Sequence, residues 1–599
     1  MLSTNSSSKT IIRENLKRYW VIAFLGYIGY VMQGMMPVLM NYRTFNAVAD
    51  YARSVVMGTS FVINLFIVII AIVAGSAVFG YLHTPVSSNA THALPVNRKQ
   101  LFGSAVISGW LLCVIPLVIF AFSMLVLRGA SSASLTSEEM KSLTEMMFGS
   151  NASAQEIYTL PHILSFLLTS VICTSVIFAT TCLAAVMAGK KVIHELLALF
   201  IFILPSALVL TADSLCSEFL FGFDSLDVDY SWLNVTMAAM TEDTYGMDWQ
   251  HIAYYIVVTI LLLGLSLMIY KKVKLERIGM ATTFPVVSDV LVVILTILAS
   301  LSFGGVLDVF IDGSSSGKAT RYVIVTLISS FIYYAIMRMI ADGGPAIFSL
   351  KNLKKYGVCF VLLLVILAFT AMDISGFAGK TINSQDVESV HLETGFPKNV
   401  IMTDASFDDP EVTEALLGVQ TAIISEKDVK GKQSAEGYDE FTTEEFTLKW
   451  KLKNGKELKR KYMATVDENH VKTNEALKKL FNTKAFRESL RIDVAKENKR
   501  TKMIEIYSSS TDWEEEENIR IKKEDWEGLL EAIDKDLSGV SYELLSEYSD
   551  PVGDEGEEEE CTVIDITYKE DDYSGGNVFY IRDRDKNTIA FLKDKGYIK

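Results

Sequence analysis

The chain is poor in the residues that build metal and redox sites. It has seven histidines and six cysteines among 599 residues, and no two cysteines are spaced as Cys-x-x-Cys. Neither a zinc knuckle nor a thioredoxin-like site is therefore indicated. His194 and Glu195 match the start of an HExxH motif. Ala198 occupies the position of its second zinc-binding histidine, so the motif is incomplete.

The chain also lacks a complete phosphate-binding loop. The run from Gly313 to Lys318 has three residues between its glycines instead of four. Ala319 follows the lysine, where a Ser or Thr would bind magnesium in a Walker A loop. We therefore expect no ATPase activity, no cofactor and no metal in this chain, and we do not expect it to be an enzyme.

Charge is distributed unevenly along the sequence. The net charge is −16, yet residues 1–373 hold about 22 of the 55 basic and about 21 of the 71 acidic residues. That leaves about 33 basic and about 50 acidic residues for the part after 373. An acidic surface of this kind disfavours nucleic acid as a partner.

Long apolar runs dominate the first part of the chain. A bilayer core of about 30 Å needs about 20 apolar residues per helix. Runs of that kind predict about nine transmembrane helices, near 20–40, 58–80, 103–127, 162–188, 192–211, 252–270, 286–307, 322–340 and 357–373. The fourth and fifth are separated by residues 189–191 only, which predicts a tight helical hairpin. No cleavable signal peptide is expected, because the first run is of spanning length.

Lysine and arginine predict the orientation of these helices. With a cytoplasmic N-terminus, the inside segments hold about 16 basic residues and the outside loops about six. An odd number of spans would place the C-terminal domain outside the cytoplasm. We therefore predict a multi-pass plasma-membrane protein with an extracytoplasmic C-terminal domain.

The segment before the first run, from Ser8 to Tyr19, is amphipathic. It predicts either a helix that lies in the plane of the membrane interface or a basic flank that anchors the first span. Intramembrane charge is sparse: Glu195, Asp289 and Arg338 lie near predicted cytoplasmic ends. The absence of ionisable groups at the midplane argues against proton or sodium coupling.

The part from 374 to 599 predicts a soluble α+β domain. Phe446–Tyr462 alternates apolar and charged residues around Asn454-Gly455, which is typical of a β-hairpin. Helical periodicity marks Pro410–Ser425, Thr473–Leu490 and Asp525–Glu547, and strands are predicted at Met503–Tyr507, Cys561–Tyr568 and Val578–Ile581. Cys216 and Cys561 are the two cysteines outside the predicted spans, and a disulfide between them is one option.

The segment between the second and third spans ends in a basic turn that Pro95 initiates. Its residues ALPVNRKQLFGS, from Ala93 to Ser104, resemble the LPxxRxxLFxxK segment of ABC-2 type transporter permeases, with Ala105 in place of the final lysine. After the sixth span, Glu276, Gly279 and Phe284 match the ExxGxxxxF segment of the same family. The stretch 212–251 lies where that family has short re-entrant helices.

The resemblance implies an organisation and a function. It implies an amphipathic connecting helix (1–19), an ABC-2 or type V exporter-like six-helix core (20–285), three additional transmembrane helices (286–373) and an extracytoplasmic acidic domain (374–599), as in Gram-positive antimicrobial-peptide-exporter and acetoin-utilisation-type permeases. The expected function is export of an amphipathic, peptide or lipid-like substrate, driven by a separate cytoplasmic ABC ATPase that binds ATP and magnesium. A homodimer, or a heterodimer with a sister permease, and contact with membrane lipid are implied as well.

The same resemblance implies where the ATPase would bind. The coupling residues are expected at Thr84, Pro95, Val96, Asn97, Arg98 and Lys99. The second cytoplasmic segment contributes Glu276, Arg277 and Gly279. A plain membrane turn at 95–99 remains an alternative. So does a protein of another class, a membrane-anchored extracytoplasmic sensor or binding protein without transport; an intramembrane enzyme lacks a catalytic constellation.

Overall fold

The structure is a computed structural model of the chain. It describes residues 2–40, 49–131, 157–240, 245–273, 275–310, 318–342, 344, 349–395, 403–429, 442–466, 469–508, 519–539, 542, 562–568, 577–581 and 585–598. The chain divides into two units, Met1–Leu215 with Leu226–Ala368, and Cys216–Ser225 with Phe369–Lys599. Cys561 and most of the 313–318 loop lie outside the described residues.

The first unit is helical. In chain order its helices are α1 (Leu2–Gly34), α2 (Met36–Met40), α3 (Ala49–Met57), α4 (Phe61–Val78), α5 (Pro85–His92), α6 (Arg98–Ser131), α7 (Leu160–Met187), α8 (Lys191–Phe219), α9 (Val235–Ala239), α10 (Trp249–Lys272), α11 (Pro285–Phe310), α12 (Lys318–Asp342) and α13 (Leu350–Ala371). Within the described residues, 8 helices are long and apolar enough to cross a membrane, namely α4, α6, α7, α8, α10, α11, α12 and α13. The predicted tight hairpin is confirmed, since α7 ends at Met187 and α8 begins at Lys191.

The predicted count of nine spans is not confirmed, and α1 is the reason. The run predicted at 20–40 falls on two helices that meet at Met35, so the apolar part of α1 ends at Gly34. Helix α1 is also continuous across residue 19, with no boundary between a connecting helix and a span. Its N-terminal half lies along α6, where Asn15 Nδ2 donates a hydrogen bond to Ser108 Oγ at 3.0 Å.

Helix α7 lies at the centre of the first unit. Its apolar window is 67% buried, the largest buried share among the candidate spans. Helices α4 and α6 approach it through glycines: a Cβ atom added at Gly75 would overlap the Thr181 side chain, and one added at Gly109 would overlap the Phe178 ring. Small residues let helix backbones approach closely in a bilayer, where packing rather than water exclusion holds helices together.

Two short helices cover the N-terminal half of α7. Val55 in α3 is fully buried, and the carbonyl of Val235 in α9 accepts a contact from Cys173 Sγ of α7 at 3.5 Å. Asn234 caps α9, accepting a hydrogen bond from the Thr236 amide at 3.0 Å. The stretch 212–251 thus contains the short helix α9, and α3 was not anticipated from the sequence.

The second unit is an α+β domain with two similar halves. The first half consists of β1 (Val387–Thr394), β2 (Thr403–Phe407), α14 (Pro410–Glu426), β3 (Thr442–Leu452), β4 (Glu457–Val466), α15 (Val471–Phe481) and α16 (Lys484–Ser489). The second half consists of α17 (Val494–Arg500), β5 (Thr501–Ser508), β6 (Ile519–Arg520), α18 (Trp526–Ser538), β7 (Thr562–Tyr568), β8 (Asn577–Ile581) and α19 (Lys586–Asp594). The predicted hairpin is confirmed as β3 and β4, and the strands at 503–507, 561–568 and 578–581 correspond to β5, β7 and β8.

The two halves share one topology, which the sequence analysis did not detect. The sheet orders are β2-β1-β3-β4 and β6-β5-β7-β8, and the strand pairs are antiparallel. Each half follows the pattern ββαββα. The first strand of each carries an irregularity at its start, between Val387 and Ser389 and between Thr501 and Met503. Equal order and equal placement of a bulge indicate an internal structural repeat.

A carboxylate joins the two helices of each half in the same way. Glu426 of α14 accepts hydrogen bonds from the Thr473 amide at 2.9 Å and the Thr473 hydroxyl at 2.7 Å. Asp536 of α18 accepts the equivalent bonds from Thr588, each at 2.8 Å. Both threonines lie in the first turn of a helix, where backbone N–H groups lack intrahelical partners. Each carboxylate therefore caps the second helix of its half.

The segment Cys216–Ser225 is part of the second unit. The Lys461 amide on β4 donates a hydrogen bond to the Gly222 carbonyl at 3.2 Å, and Asp224 pairs with Lys459 at 2.5 Å. The rings of Phe221 and Tyr462 are 5.6 Å apart. This segment thus binds along the outer edge of β4 and covers an edge that would otherwise expose unpaired backbone groups.

Gly75→Ala should destabilise the helical unit. The added methyl group has no room beside Thr181, and overpacking of this kind costs about 1–3 kcal/mol. Gly103→Ala is the matched control, because nothing lies within 4 Å of a Cβ atom added there. Thermal unfolding of the full chain in detergent should show a lower midpoint for the first variant only; equal midpoints would contradict the close approach of α4 and α7.

Glu426→Gln should make the first half of the C-terminal domain less stable and less sensitive to acid. Burial disfavours the ionised form of Glu426, but hydrogen bonds from Thr473 and the Lys472 amide outweigh burial and hold its pKa below the usual 4.5. Because the folded-state pKa is depressed, this stabilisation is present above pH 4.5 and is lost as pH falls through the folded-state pKa.

The measurement is unfolding of the full chain between pH 7 and pH 3. We expect Glu426→Gln to cost about 1–2 kcal/mol near neutral pH and to reduce the loss of stability on acidification. The exposed Glu411→Gln on the same helix is the control and should match the wild type. An unchanged pH dependence in Glu426→Gln would show that Glu426 does not cap α15.

Candidate functional site

Three loops come together at one end of the helical unit. They are 79–97 between α4 and α6, 188–190 between α7 and α8, and 273–284 between α10 and α11. Ala188 and Thr282 form an antiparallel bridge, and the Gly279 amide donates to the Gly189 carbonyl at 2.9 Å. We call these three loops the basic-end cluster, since each carries or adjoins lysine or arginine residues that the sequence analysis assigned to the cytoplasmic side.

Helix α5 brings the two family-like segments together. Thr84 precedes it in an extended conformation, and Pro85 occupies its first turn, where a missing N–H is harmless. The helix packs against the 3₁₀ turn Leu275–Arg277. Gly279 has a φ of +94°, and the Pro85 ring lies 3.8 Å from where its Cβ would be. Glu276, Arg277 and Gly279 are therefore neighbours of α5 in space.

A buried tyrosine fastens α5 to α10. Tyr270, in the last turn of α10, is 1% exposed. Its hydroxyl lies 3.2 Å from His92 Nε2 and accepts a hydrogen bond from the Tyr81 hydroxyl at 3.3 Å. His92 ends α5, and Tyr81 lies in the turn before it. The helix is thus held at both of its ends by a residue of α10.

Arg98 has a structural role at the start of α6. Its guanidinium donates to the carbonyls of Lys271 and Val273, each at 3.3 Å, and so caps the C-terminal end of α10. Cations at this end of a helix are favourable because the last carbonyls lack intrahelical partners. The Asn97 amide donates to Gln100 Oε1 at 3.3 Å, which caps α6.

The six residues expected to contact an ATPase differ in their exposure. Thr84, Pro95, Asn97 and Lys99 are exposed, whereas Val96 and Arg98 are half-buried. The largest exposed apolar side chains on this loop are Val86 (83%) and Leu94 (46%). Val86 was not among the residues singled out from the sequence, although it directly follows a helix-starting proline and lies outside every apolar run.

A buried histidine pair lies beneath α5. His83 Nε2 and His194 Nδ1 are 3.0 Å apart, and His194 Nε2 lies 2.9 Å from the Thr181 carbonyl. This arrangement fits two neutral rings, each donating through Nε2. The pKa of His83 is lowered to about 3, mainly by burial and to a lesser extent by the neighbouring His194. The pair therefore links the loop to α8 and α7 through hydrogen bonds between neutral rings. It carries no titratable proton to release near neutral pH.

Four charged residues of the additional helices pair with one another. Asp289 of α11 lies 2.6 Å from both Arg338 of α12 and Lys355 of α13, and Arg338 also pairs with Asp342 at 2.7 Å. Glu195 of α8 accepts a hydrogen bond from Ser76 at 2.6 Å. Ionisable groups in membrane helices are stable when paired in this way, so these residues fasten helices together.

The described residues contain no group of three or more His, Cys, Asp or Glu side chains that could hold a metal ion. Comparisons of the chain with protein-family models, curated proteins and solved structures find no match.

Arg98→Gln should lower the stability of the helical unit by about 0.5–1 kcal/mol, because the C-terminal end of α10 loses its cap. Lys99→Gln removes the same charge from an adjacent exposed position and should have no effect. Thermal unfolding of both full-length variants in detergent tests this. If the two midpoints shift equally, Arg98 acts through charge alone and does not cap α10.

Proposed function

We propose that this chain is the membrane-spanning permease subunit of an ABC-2 type transporter, and that a separate cytoplasmic ATPase docks on the basic-end cluster. One observation supports this above the others. The two segments whose sequences resemble that family, 84–99 and 276–284, are far apart in the chain but adjacent in space. ATP and magnesium would be bound by the partner.

The cluster has the mechanical properties that such docking requires. Val86 and Leu94 offer apolar contacts outside the spans, and binding surfaces depend on a few such anchors. Helix α5 is fastened to α10 through Tyr270, and the loop after α10 is bonded to the turn between α7 and α8. A displacement of α5 would therefore be passed to α10 and α7 through hydrogen bonds rather than absorbed by a loose loop.

We further propose that the basic-end cluster faces the cytoplasm, following the excess of lysine and arginine on that side. The substrate is proposed to be amphipathic, peptide or lipid-like. In support, several polar side chains of the spans bond to backbone carbonyls: Asn64 donates to Gly58 at 2.8 Å and Ser108 to Ala105 at 3.1 Å. Such groups serve packing and leave little polarity for an ionic substrate. A homodimer, or a heterodimer with a sister permease, completes the proposal.

The test is site-specific photo-crosslinking in native membranes. A photoreactive amino acid replaces Val86 in the full chain, and the ATP-binding subunit encoded nearest to its gene carries a tag. We expect a covalent adduct between the two. Val86→Asp with Leu94→Asp should lower co-purification of the tagged ATPase at least about tenfold, since burying two apolar side chains contributes about 3 kcal/mol or more.

Met463 supplies the control, because it is an exposed methionine (52%) on β4 of the C-terminal unit. The same photoreactive residue there should give no adduct, and Met463→Asp should leave co-purification unchanged. An ATPase that co-purifies but does not crosslink at Val86 would place docking elsewhere. If no ATPase associates with the wild type, the permease proposal fails and the sensor or anchor alternative takes its place.

A further inference from the structure

Helix α1 has a shallow, open surface pocket outside the basic-end cluster, which we call the groove. The groove has a volume of about 670 Å³ and is lined by Lys9, Ile12, Arg13, Leu16, Lys17 and Trp20. At 100° per residue these positions fall on one face of the helix, with three cations at i, i+4 and i+8. Asn15 lies on another face, where it bonds to Ser108 of α6.

The three cations are free to bind an anion. Among the described residues, Lys9, Arg13 and Lys17 form no ion pair. Lys9, Arg13 and Lys17 are each exposed to solvent. Like charges on one helix face repel one another, so a bound anion would relieve that repulsion as well as gain attraction.

An apolar surface continues the groove along the same face. The Trp20 and Phe24 rings are 5.8 Å apart, one turn from each other, and are 56% and 50% exposed. Trp20 begins the apolar part of α1, and tryptophan favours the membrane–water interface. The face therefore changes from cationic to apolar at the level expected for a lipid headgroup.

We propose that the groove of α1 binds the phosphate headgroup of an anionic phospholipid, with the acyl chains lying along Trp20 and Phe24. An amphiphile with one negative end and a long apolar body matches this surface in both charge and polarity. A free nucleotide or phosphate would use the cations but leave the apolar extension uncovered. This inference depends on α1 meeting the bilayer near Trp20 and does not depend on ATPase docking.

The test measures lipid retention by the full chain. Protein is reconstituted into nanodiscs of equal phosphatidylglycerol and phosphatidylcholine, extracted into detergent, and analysed for bound lipid by native mass spectrometry. We expect bound phosphatidylglycerol to exceed phosphatidylcholine in the wild type. The triple variant Lys9→Gln, Arg13→Gln and Lys17→Gln should reduce that preference by about tenfold or more. Each basic residue near an anionic lipid surface contributes to the free energy of binding.

The control triple is Lys190→Gln, Lys351→Gln and Lys354→Gln, which removes the same charge from exposed positions that do not line the groove. It should keep the preference, and both triples should unfold at the same temperature as the wild type. Trp20→Ala with Phe24→Ala should weaken retention while the cations remain. An equal loss in both triples, or complete displacement of the lipid by millimolar inorganic phosphate, would overturn the proposal.

Discussion

The close packing of α4 and α6 against α7 is the constraint on which the helical unit depends. In a bilayer, apolar side chains gain little by leaving lipid for protein, so helices associate where their backbones approach and dispersion contacts accumulate. Gly75 and Gly109 permit that approach, and the Trp110 indole adds a hydrogen bond to Ser175 of α7 at 2.9 Å. Once these three helices are fixed, the loops that leave their ends have defined starting points.

The basic-end cluster is a consequence of that arrangement. Three residues connect α7 to α8, and Gly189 is the middle one. It fits beside the 273–284 loop because it has no Cβ atom, which would overlap the Met280 carbonyl. The same loop follows α10, whose last turn holds Tyr270 and receives Arg98. Polar bonds at the cluster thus connect α5, α6, α7 and α10.

Much of the fold could be predicted from the sequence, because hydrophobic length and period are local properties. Such patterns located eight of the nine predicted spans at apolar helices of the structure. They also located the β3–β4 hairpin at Asn454-Gly455 and helix α14. The first span is less clear because its apolar part is short and continues a charged helix. The helix predicted at Thr473–Leu490 is two helices, since the chain breaks after Phe481 and Thr483 precedes α16.

Tertiary contacts could not be predicted in the same way. Position 98 carries an arginine in the family-like segment, but nothing local indicates that its guanidinium caps α10. The partners of His83 and Asp289 also lie far away in the chain, at His194 and at Arg338 and Lys355. The repeat in the C-terminal domain escaped notice because its halves share spacing more than identity. Leu416, Val419 and Ile423 in α14 correspond to Trp526, Leu529 and Ile533 in α18, and such spacing occurs in any amphipathic helix.

The assignment of Cys216–Ser225 to the C-terminal unit bears on membrane topology. This segment lies between α8 and α10, and it pairs with β4 through Gly222 and Asp224. If α10, α11, α12 and α13 all cross the membrane, the chain makes four crossings between this segment and the domain. An even number returns it to the same side, which the pairing requires. This requirement does not depend on whether α1 is a span, because α1 precedes both the segment and the domain. Three or five crossings in that interval would separate Gly222 from Lys461 by a bilayer.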